Sequence, residues 1–356
     1  MACRRDAIRT LQRKLSAPPH HPTCVIAAKP HLPCINNKTR DRPRCDTSLG
    51  LANLDSHQYS KARDEQSINM ATDVGMSSCC LSGKIQSGKP KGRETEIAGL
   101  QTYVAEPENG DKSKTVVFLA DIFGWELPNT RLLADEYAAA GFTAYIPDVH
   151  SGDSLDPSFL QTVEPPLPDR EKQSVTEKAA ATAKVGATLG PWLVTHREAV
   201  SRPIIENFID KVRYIPGTNK VGVIGFCWGG RYAILAGQKG FSAAEGKGVE
   251  AVYACHPSLV SIPADFADVC VPLSLALGDK DSLLGEYEAK QIQELMEAKK
   301  KGEQTQGEKC EESEVKIYED QVHGFALRGD WSSEKDRKAM DEATQQGINW
   351  FKKYLA

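Results

Sequence analysis

A mostly parallel α/β sheet with helices on both faces is the fold predicted for this 356-residue chain, and three observations predict it. Runs such as Thr115–Ala120 (TVVFLA) and Val221–Phe226 are continuously apolar, without the alternation of a half-exposed strand, so they read as strands buried on both faces. From about residue 94 onward such runs alternate with helix-like segments, the order that a parallel sheet requires. A glycine-bracketed turn, Gly225–Gly230, joins one of these strands to the helix after it.

The elements follow in order. Glu94–Ala105 reads as two short strands turning at Gly99, a hairpin, and Thr115–Ala120 is the first buried strand. Arg131–Ala140 is a helix stopped by Gly141, followed by strand Phe142–Pro147. Pro165–Arg213 interrupts the alternation. It opens with Pro-Pro, and its helix-favouring runs Glu177–Lys184 and Arg197–Lys211 read as helical cover beside a substrate entrance. Strand Val221–Phe226 and helix Cys227–Gln238 come next, then strands Val249–Cys255 and Val271–Leu277. Helix Glu286–Lys300, strand Glu314–Glu319 and a final helix around Lys335–Tyr354 complete the set. Lys299–Glu312 is polar and charged and reads as a solvated loop.

Residues 1–75 read as a disordered N-terminal extension and residues 76–356 as one folded domain. Ser16–Arg44 is dense in Pro, His, Asn and basic residues with no sustained period, so it buries too little apolar surface to offset its ordering entropy. Ala7, Ile8, Leu11 and Leu15 recur at helical spacing among Arg4, Arg5, Arg9, Arg13 and Lys14, the look of a mitochondrial targeting helix. A cytoplasmic protein with a plain disordered tail is the leading expectation, with mitochondrial import as the alternative.

Charge and cysteine content exclude several classes. Residues 1–45 carry ten Lys/Arg against two Asp/Glu in a chain of net charge −4, so the remainder is acidic, which argues against nucleic acid as a partner. No apolar run approaches the roughly 18 residues of a transmembrane helix, and no membrane partner is expected. The ten cysteines, at 3, 24, 34, 45, 79, 80, 227, 255, 270 and 310, form no C-x-x-C pair and no zinc-ligand spacing. They read as reduced thiols in an intracellular compartment, with no structural zinc site among them.

The chemistry concentrates at Gly225-Phe226-Cys227-Trp228-Gly229-Gly230. This is a G-x-S-x-G nucleophile elbow with sulfur in place of the serine oxygen, set between a buried strand and a helix. The tight turn leaves no room for side chains on its glycines, and the helix N-terminus beside the nucleophile favours a thiolate. An inert buried cysteine in a glycine-rich turn is the plainer alternative, and the motif in its strand-to-helix setting favours the active nucleophile over it. A nucleophile of this kind needs a base and an acid to orient it, and both are expected after it in chain order. His323 follows the last strand and is the candidate base. The turn Gly278-Asp279-Lys280-Asp281 supplies the acid, with Asp281 favoured over Asp279 for its later place. The oxyanion would be held by the N–H of Trp228 and by one from Asp121-Ile122-Phe123-Gly124, Ile122 being the choice. The Asp121 carboxylate is either a turn residue or a modulator of the Cys227 thiol.

Leu119-Ala120-Asp121-Ile122-Phe123-Gly124, Ala144-Tyr145-Ile146-Pro147-Asp148, Gly225-Phe226-Cys227-Trp228-Gly229-Gly230-Arg231 and Val322-His323-Gly324-Phe325-Ala326 together resemble the dienelactone hydrolase family, in its eukaryotic, fungal-type branch. The resemblance spans roughly residues 78–356, including Cys79-Cys80. It implies an α/β-hydrolase fold without metal or organic cofactor and a Cys227–His323–Asp281 triad that cleaves a lactone or small ester through an acyl-thiol intermediate. It also implies that Ile122 and Trp228 form the oxyanion hole. Bacterial members have glutamate, one methylene longer, where Asp121 stands, holding the resting thiol. They also grip the substrate carboxylate with arginines, one four residues after the histidine; here Leu327 has that place and Arg328 follows.

Further candidates for substrate contact are Arg328, Arg231, His256 and His150. For His256 a local bond at a strand end is the plainer role, and for Arg231 an ion pair. A small-molecule lactone or ester is the expected partner, with the chain a monomer or weak homodimer. Two competing functions remain: a non-catalytic α/β-hydrolase scaffold that binds a ligand or protein, and a broad thioesterase or carboxylesterase.

Overall fold

The computed structural model describes residues 84–157, 174–241, 248–303, 307–310 and 312–356. The predicted N-terminal extension, the Cys79-Cys80 pair and the first part of the Pro165–Arg213 stretch lie outside them.

Eight strands among the described residues form one sheet in the order β1-β2-β4-β3-β5-β6-β7-β8. Strands β1 (Arg93–Ile97) and β2 (Leu100–Ala105) are the predicted hairpin, and β2 pairs antiparallel with β4 (Thr143–Pro147). From β4 onward every pair is parallel, through β3 (Lys114–Leu119), β5 (Lys220–Phe226), β6 (Ala251–Cys255), β7 (Leu273–Gly278) and β8 (Ser313–Tyr318). The central strands β3, β5, β6 and β7 are buried almost throughout, as their unbroken apolar runs require.

Helices α1 (Pro128–Ala139), α2 (Val175–Thr195), α3 (Glu198–Arg213) and α4 (Trp228–Ala236) lie between the strands of the first half. The second half carries α5 (Ala264–Ala267), α6 (Glu286–Lys301), α7 (Phe325–Arg328) and α8 (Glu334–Tyr354). On one side Phe118 of β3 meets Tyr137 of α1 edge-on at 5.1 Å, and Tyr137 in turn packs on Phe351 of α8. These rings join strand, early helix and last helix in one core. Helix α2 opens with a capping box, Ser174 and Glu177 each satisfying the other's backbone, and α6 ends at Gly302 in the left-handed region.

One expectation differs at its edge. The Lys299–Glu312 stretch begins as the end of α6, and Lys299 is buried, its ammonium donating to the Ala267 carbonyl at 2.6 Å and to that of Glu308. Cys310 is buried as well. The amine is held inward by these two carbonyls, while its methylenes cover apolar surface. No helix among the described residues is long and apolar enough to cross a membrane.

Candidate active site

The carboxyl ends of the central strands carry the chemistry-bearing residues, the edge where open parallel sheets place their sites. β5 ends at Phe226 and Cys227 follows it with φ +52° and ψ −117°, a region that residues with a Cβ rarely occupy. The conformation persists because the turn is clamped from three directions. Cys227 N–H donates to the Cys255 carbonyl, and the Cys227 carbonyl accepts from both Gly230 and Ser258. A Cβ on Gly229 would meet the Leu119 carbonyl at 2.2 Å, so the start of α4 rests directly on the end of β3. This close approach brings the elbow against the loop that carries Asp121 and Ile122.

Two later strand ends meet here. Asp281, in the turn after β7, and His323, after β8, come together with Asp281 Oδ2 2.8 Å from His323 Nδ1. The other carboxylate oxygen accepts from the N–H groups of Leu283 and Leu284, which fixes its direction. Asp279 is turned elsewhere, in an ion pair with Lys280 at 3.2 Å. His323 and Cys227 are each 1% exposed. Burial pulls the imidazole's pKa down, but Asp281 and then the Cys227 sulfur outweigh it, and the pKa is pushed up to about 10. Nε2, the ring nitrogen away from Asp281, has no conventional hydrogen-bond partner.

The sulfur also lies 3.6 Å from the hydroxyl of buried Ser258. Sequence reasoning missed Ser258, two residues after the candidate His256. His256 is fully buried with φ +36°, its ring edge-on to His323 at 5.1 Å and both ring nitrogens without a partner. Burial first, and then the charges of His323 and Arg328, hold its pKa well below the ordinary histidine value.

Asp121 and Arg328 form an ion pair, Oδ2 to Nε at 3.0 Å, with both side chains wholly shielded from solvent. The second Asp121 oxygen accepts from Phe123 N–H. Burial pushes the Asp121 carboxyl up, against the opposing pull of Arg328, the Phe123 N–H and His323. Arg231 likewise serves an ion-pair cluster, with Asp265 at 2.8 Å and Glu198 at 2.7 Å. The structure therefore places both nominated arginines in ion pairs with this chain's own carboxylates.

His150 sits on the other side of Trp228, in a group that sequence reasoning found only in part. Its ring is edge-on to Trp228 at 4.8 Å, to Trp192 at 5.1 Å and to His196 at 5.4 Å. Trp192 and His196 stack at 4.1 Å. They stand four residues apart at the end of α2, a spacing that puts them on one face and was the available signal. Among the described residues no group of three or more His, Cys, Asp and Glu could hold a metal ion, and Cys227, Cys255, Cys270 and Cys310 are free thiols.

Strand order, the strained turn after β5 and the residues gathered from later strand ends place the protein among the α/β hydrolases. Comparison with known proteins carries this to a family. The sequence profile of the dienelactone hydrolase family matches residues 100–355, and the chain belongs to that family, whose members hydrolyse ester bonds. Hydrolase pyvD of Aspergillus violaceofuscus is 25% identical over 284 residues, covering 80% of this chain and 99% of that one. A human carboxymethylenebutenolidase homologue is 27% identical over 292 residues, covering 80% of this chain and all of the relative. Among solved structures, Thermogutta terrifontis esterase 2 phosphorylated by paraoxon shares the fold, with a TM-score of 0.50 at 16% identity over 75% of this chain and 97% of that one.

Proposed function

We propose that the protein hydrolyses a lactone or small carboxylic ester through a Cys227–His323–Asp281 triad and an acyl-thiol intermediate. The observation that carries this reading is the buried 2.8 Å bond between Asp281 and His323 beside a cysteine on a strained strand-to-helix turn. Asp281 accepts the Nδ1 proton and stabilises the ring as an imidazolium, whose second proton, on Nε2, is the one taken from the Cys227 thiol. The sulfur attacks the ester carbonyl, and the resulting oxyanion is held by the backbone N–H groups of Ile122 and Trp228. The N–H groups around these two are committed elsewhere: Phe123 to Asp121 Oδ1, Gly124 to the Asp121 carbonyl, and Cys227 to the Cys255 carbonyl.

Collapse of the tetrahedral intermediate breaks the carbon–oxygen bond, and His323 returns its proton to the departing alkoxide. In a lactone this oxygen stays tethered as a hydroxyl of the same molecule. Water, deprotonated by His323, then attacks the thioester; the carboxylic acid leaves and Cys227 is regenerated. Asp121 modulates the thiol–imidazole pair through its charge on His323. A lactone among the substrates is supported by the family and by relatives named carboxymethylenebutenolidase homologues.

A panel of lactones, aryl esters and thioesters assayed with wild type and Cys227→Ala tests the reading. Turnover confined to wild type is the expected result, and equal turnover by the variant contradicts it.

A further inference from the structure

Beside the Ile122 and Trp228 N–H groups stands a histidine that the hydrolytic steps leave unused. The turn carrying His150 is bound to the oxyanion loop, Leu155 N–H donating to the Ile122 carbonyl at 2.9 Å. A Cβ on Gly124 would collide with Ser154 of the same turn at 1.9 Å, which shows how tightly the two loops meet. The other face of the ring borders Trp228. His150 is therefore held between the two residues assigned to the oxyanion, buried to 2% exposure. Its Nδ1 is 3.1 Å from the Ser154 hydroxyl, but Nε2 has no partner. A buried polar atom without a partner is costly, and beside a reactive centre that cost is relieved when a substrate atom pairs with it.

The character of that ligand follows from the charges around it. Burial, with a smaller contribution from His196, holds the His150 pKa down to about 3, so the ring is neutral at ordinary pH. When Ser154 donates to Nδ1, the neutral ring carries its proton on Nε2. Arg328 is held by Asp121, Arg231 by Asp265 and Glu198, and Arg131 by Glu94 and the Trp125 carbonyl. The Asp153 carboxylate stands 4.0 Å from His196, adding negative charge on this side. The His323 imidazolium is likewise committed to Asp281, so a substrate carboxylate entering here would lose its water and would have to displace one of these partners to gain a cation. The aromatic surroundings of His150, formed by Trp228, Trp192 and His196, suit an unsaturated ring better than a charged group.

We propose that this site selects an uncharged, planar unsaturated lactone or aryl ester, and that His150 is a specificity-determining residue whose Nε2–H donates to a neutral oxygen of that substrate. The proposal rests on the hydrolytic reading above and names its substrate class.

Two esters that differ in one charge test it: methyl 4-acetoxybenzoate and 4-acetoxybenzoate, each rate divided by its uncatalysed hydrolysis. Wild type is expected to favour the neutral ester by about 100-fold or more in kcat/KM. His150→Phe keeps a ring but loses the donor and is expected to lower kcat/KM for the neutral ester about tenfold, whereas His150→Gln, which keeps an N–H, loses less. Equal or better use of the carboxylate ester overturns the substrate class, and a His150→Phe variant with wild-type kcat/KM overturns the role of His150. Intact-mass measurement after mixing separates these failures from failure of the parent reading. An acetyl adduct on Cys227 from both esters at equal normalised rates sinks only the selectivity, whereas no adduct from either ester, alongside turnover in Cys227→Ala, sinks the hydrolytic reading and this proposal with it.

Discussion

Asp281 reaches His323 at 2.8 Å while Asp279, two residues earlier on the same turn, pairs with Lys280 instead. The turn after β7 thus sends two similar carboxylates in different directions, one to His323 and the other to Lys280. If Asp281 orients the base, Asp281→Asn lowers kcat by about 100- to 10,000-fold, because the amide favours the wrong tautomer and cannot stabilise the imidazolium. Asp279→Asn stays within about threefold of wild type. Steady-state kinetics on one aryl ester checks both, and a larger loss at Asp279 reverses the assignment.

The same contact makes stability depend on pH. His323 has a pKa of about 10 in the folded protein against 6.5 for an ordinary histidine, so the folded state binds this proton more tightly than the unfolded chain does. That contribution is complete below pH 6.5 and is lost progressively as pH rises toward 10. The urea midpoint of wild type is expected to fall across this window, and Asp281→Asn to flatten the fall. Equal slopes for the two proteins would show that the pair does not carry the effect.

At the elbow the geometry predicts a steric effect. A methyl group on Gly229 would lie 2.2 Å and 2.4 Å from the carbonyl oxygens of Leu119 and Ala120, which are backbone atoms of a buried strand end and cannot swing aside. Gly229→Ala is expected to cost about 2–4 kcal/mol in denaturant unfolding. Gly99, in the hairpin turn at φ +80°, has open space around it, and its alanine variant costs about 1 kcal/mol from backbone conformation alone.

The Asp121–Arg328 pair offers a coupling measurement. Arg328→Met strands a buried carboxylate and is expected to destabilise the protein by about 3–5 kcal/mol. Adding Asp121→Asn removes the stranded charge and recovers a large part of that loss. Additive single-variant effects in the double-mutant cycle would contradict a direct ion pair.

Most of the sheet was legible because its central strands are buried on both faces and so carry unbroken apolar runs. The elbow was legible because glycines at Gly225, Gly229 and Gly230 leave a local trace in the sequence. Helix α2 was only half read. Gly186, Gly190 and Pro191 argue against a helix by propensity, yet Val185, Leu189 and Trp192 are buried, and their packing overrides that preference. The Asp121–Arg328 pair was not legible at all. It depends on the one-turn helix α7, which starts at Gly324 with φ +86° and folds Arg328 back on the oxyanion loop. Contacts of this kind are set by the meeting of distant strand ends and leave no periodic pattern. The His150 group lay between these cases: its histidine was noted, and its partners Trp192 and His196 sat in a helix read as ending too early.

The central claim is that the Cys227 sulfur becomes covalently acylated during turnover. Rapid quenching of wild type with a slow aryl ester, followed by intact-mass and peptide mapping, tests it most directly. The expected result is an acyl adduct confined to the peptide carrying Cys227, lost in Cys227→Ala together with turnover. Turnover that persists at the wild-type rate in Cys227→Ala, or an adduct mapped to a different side chain, would contradict it.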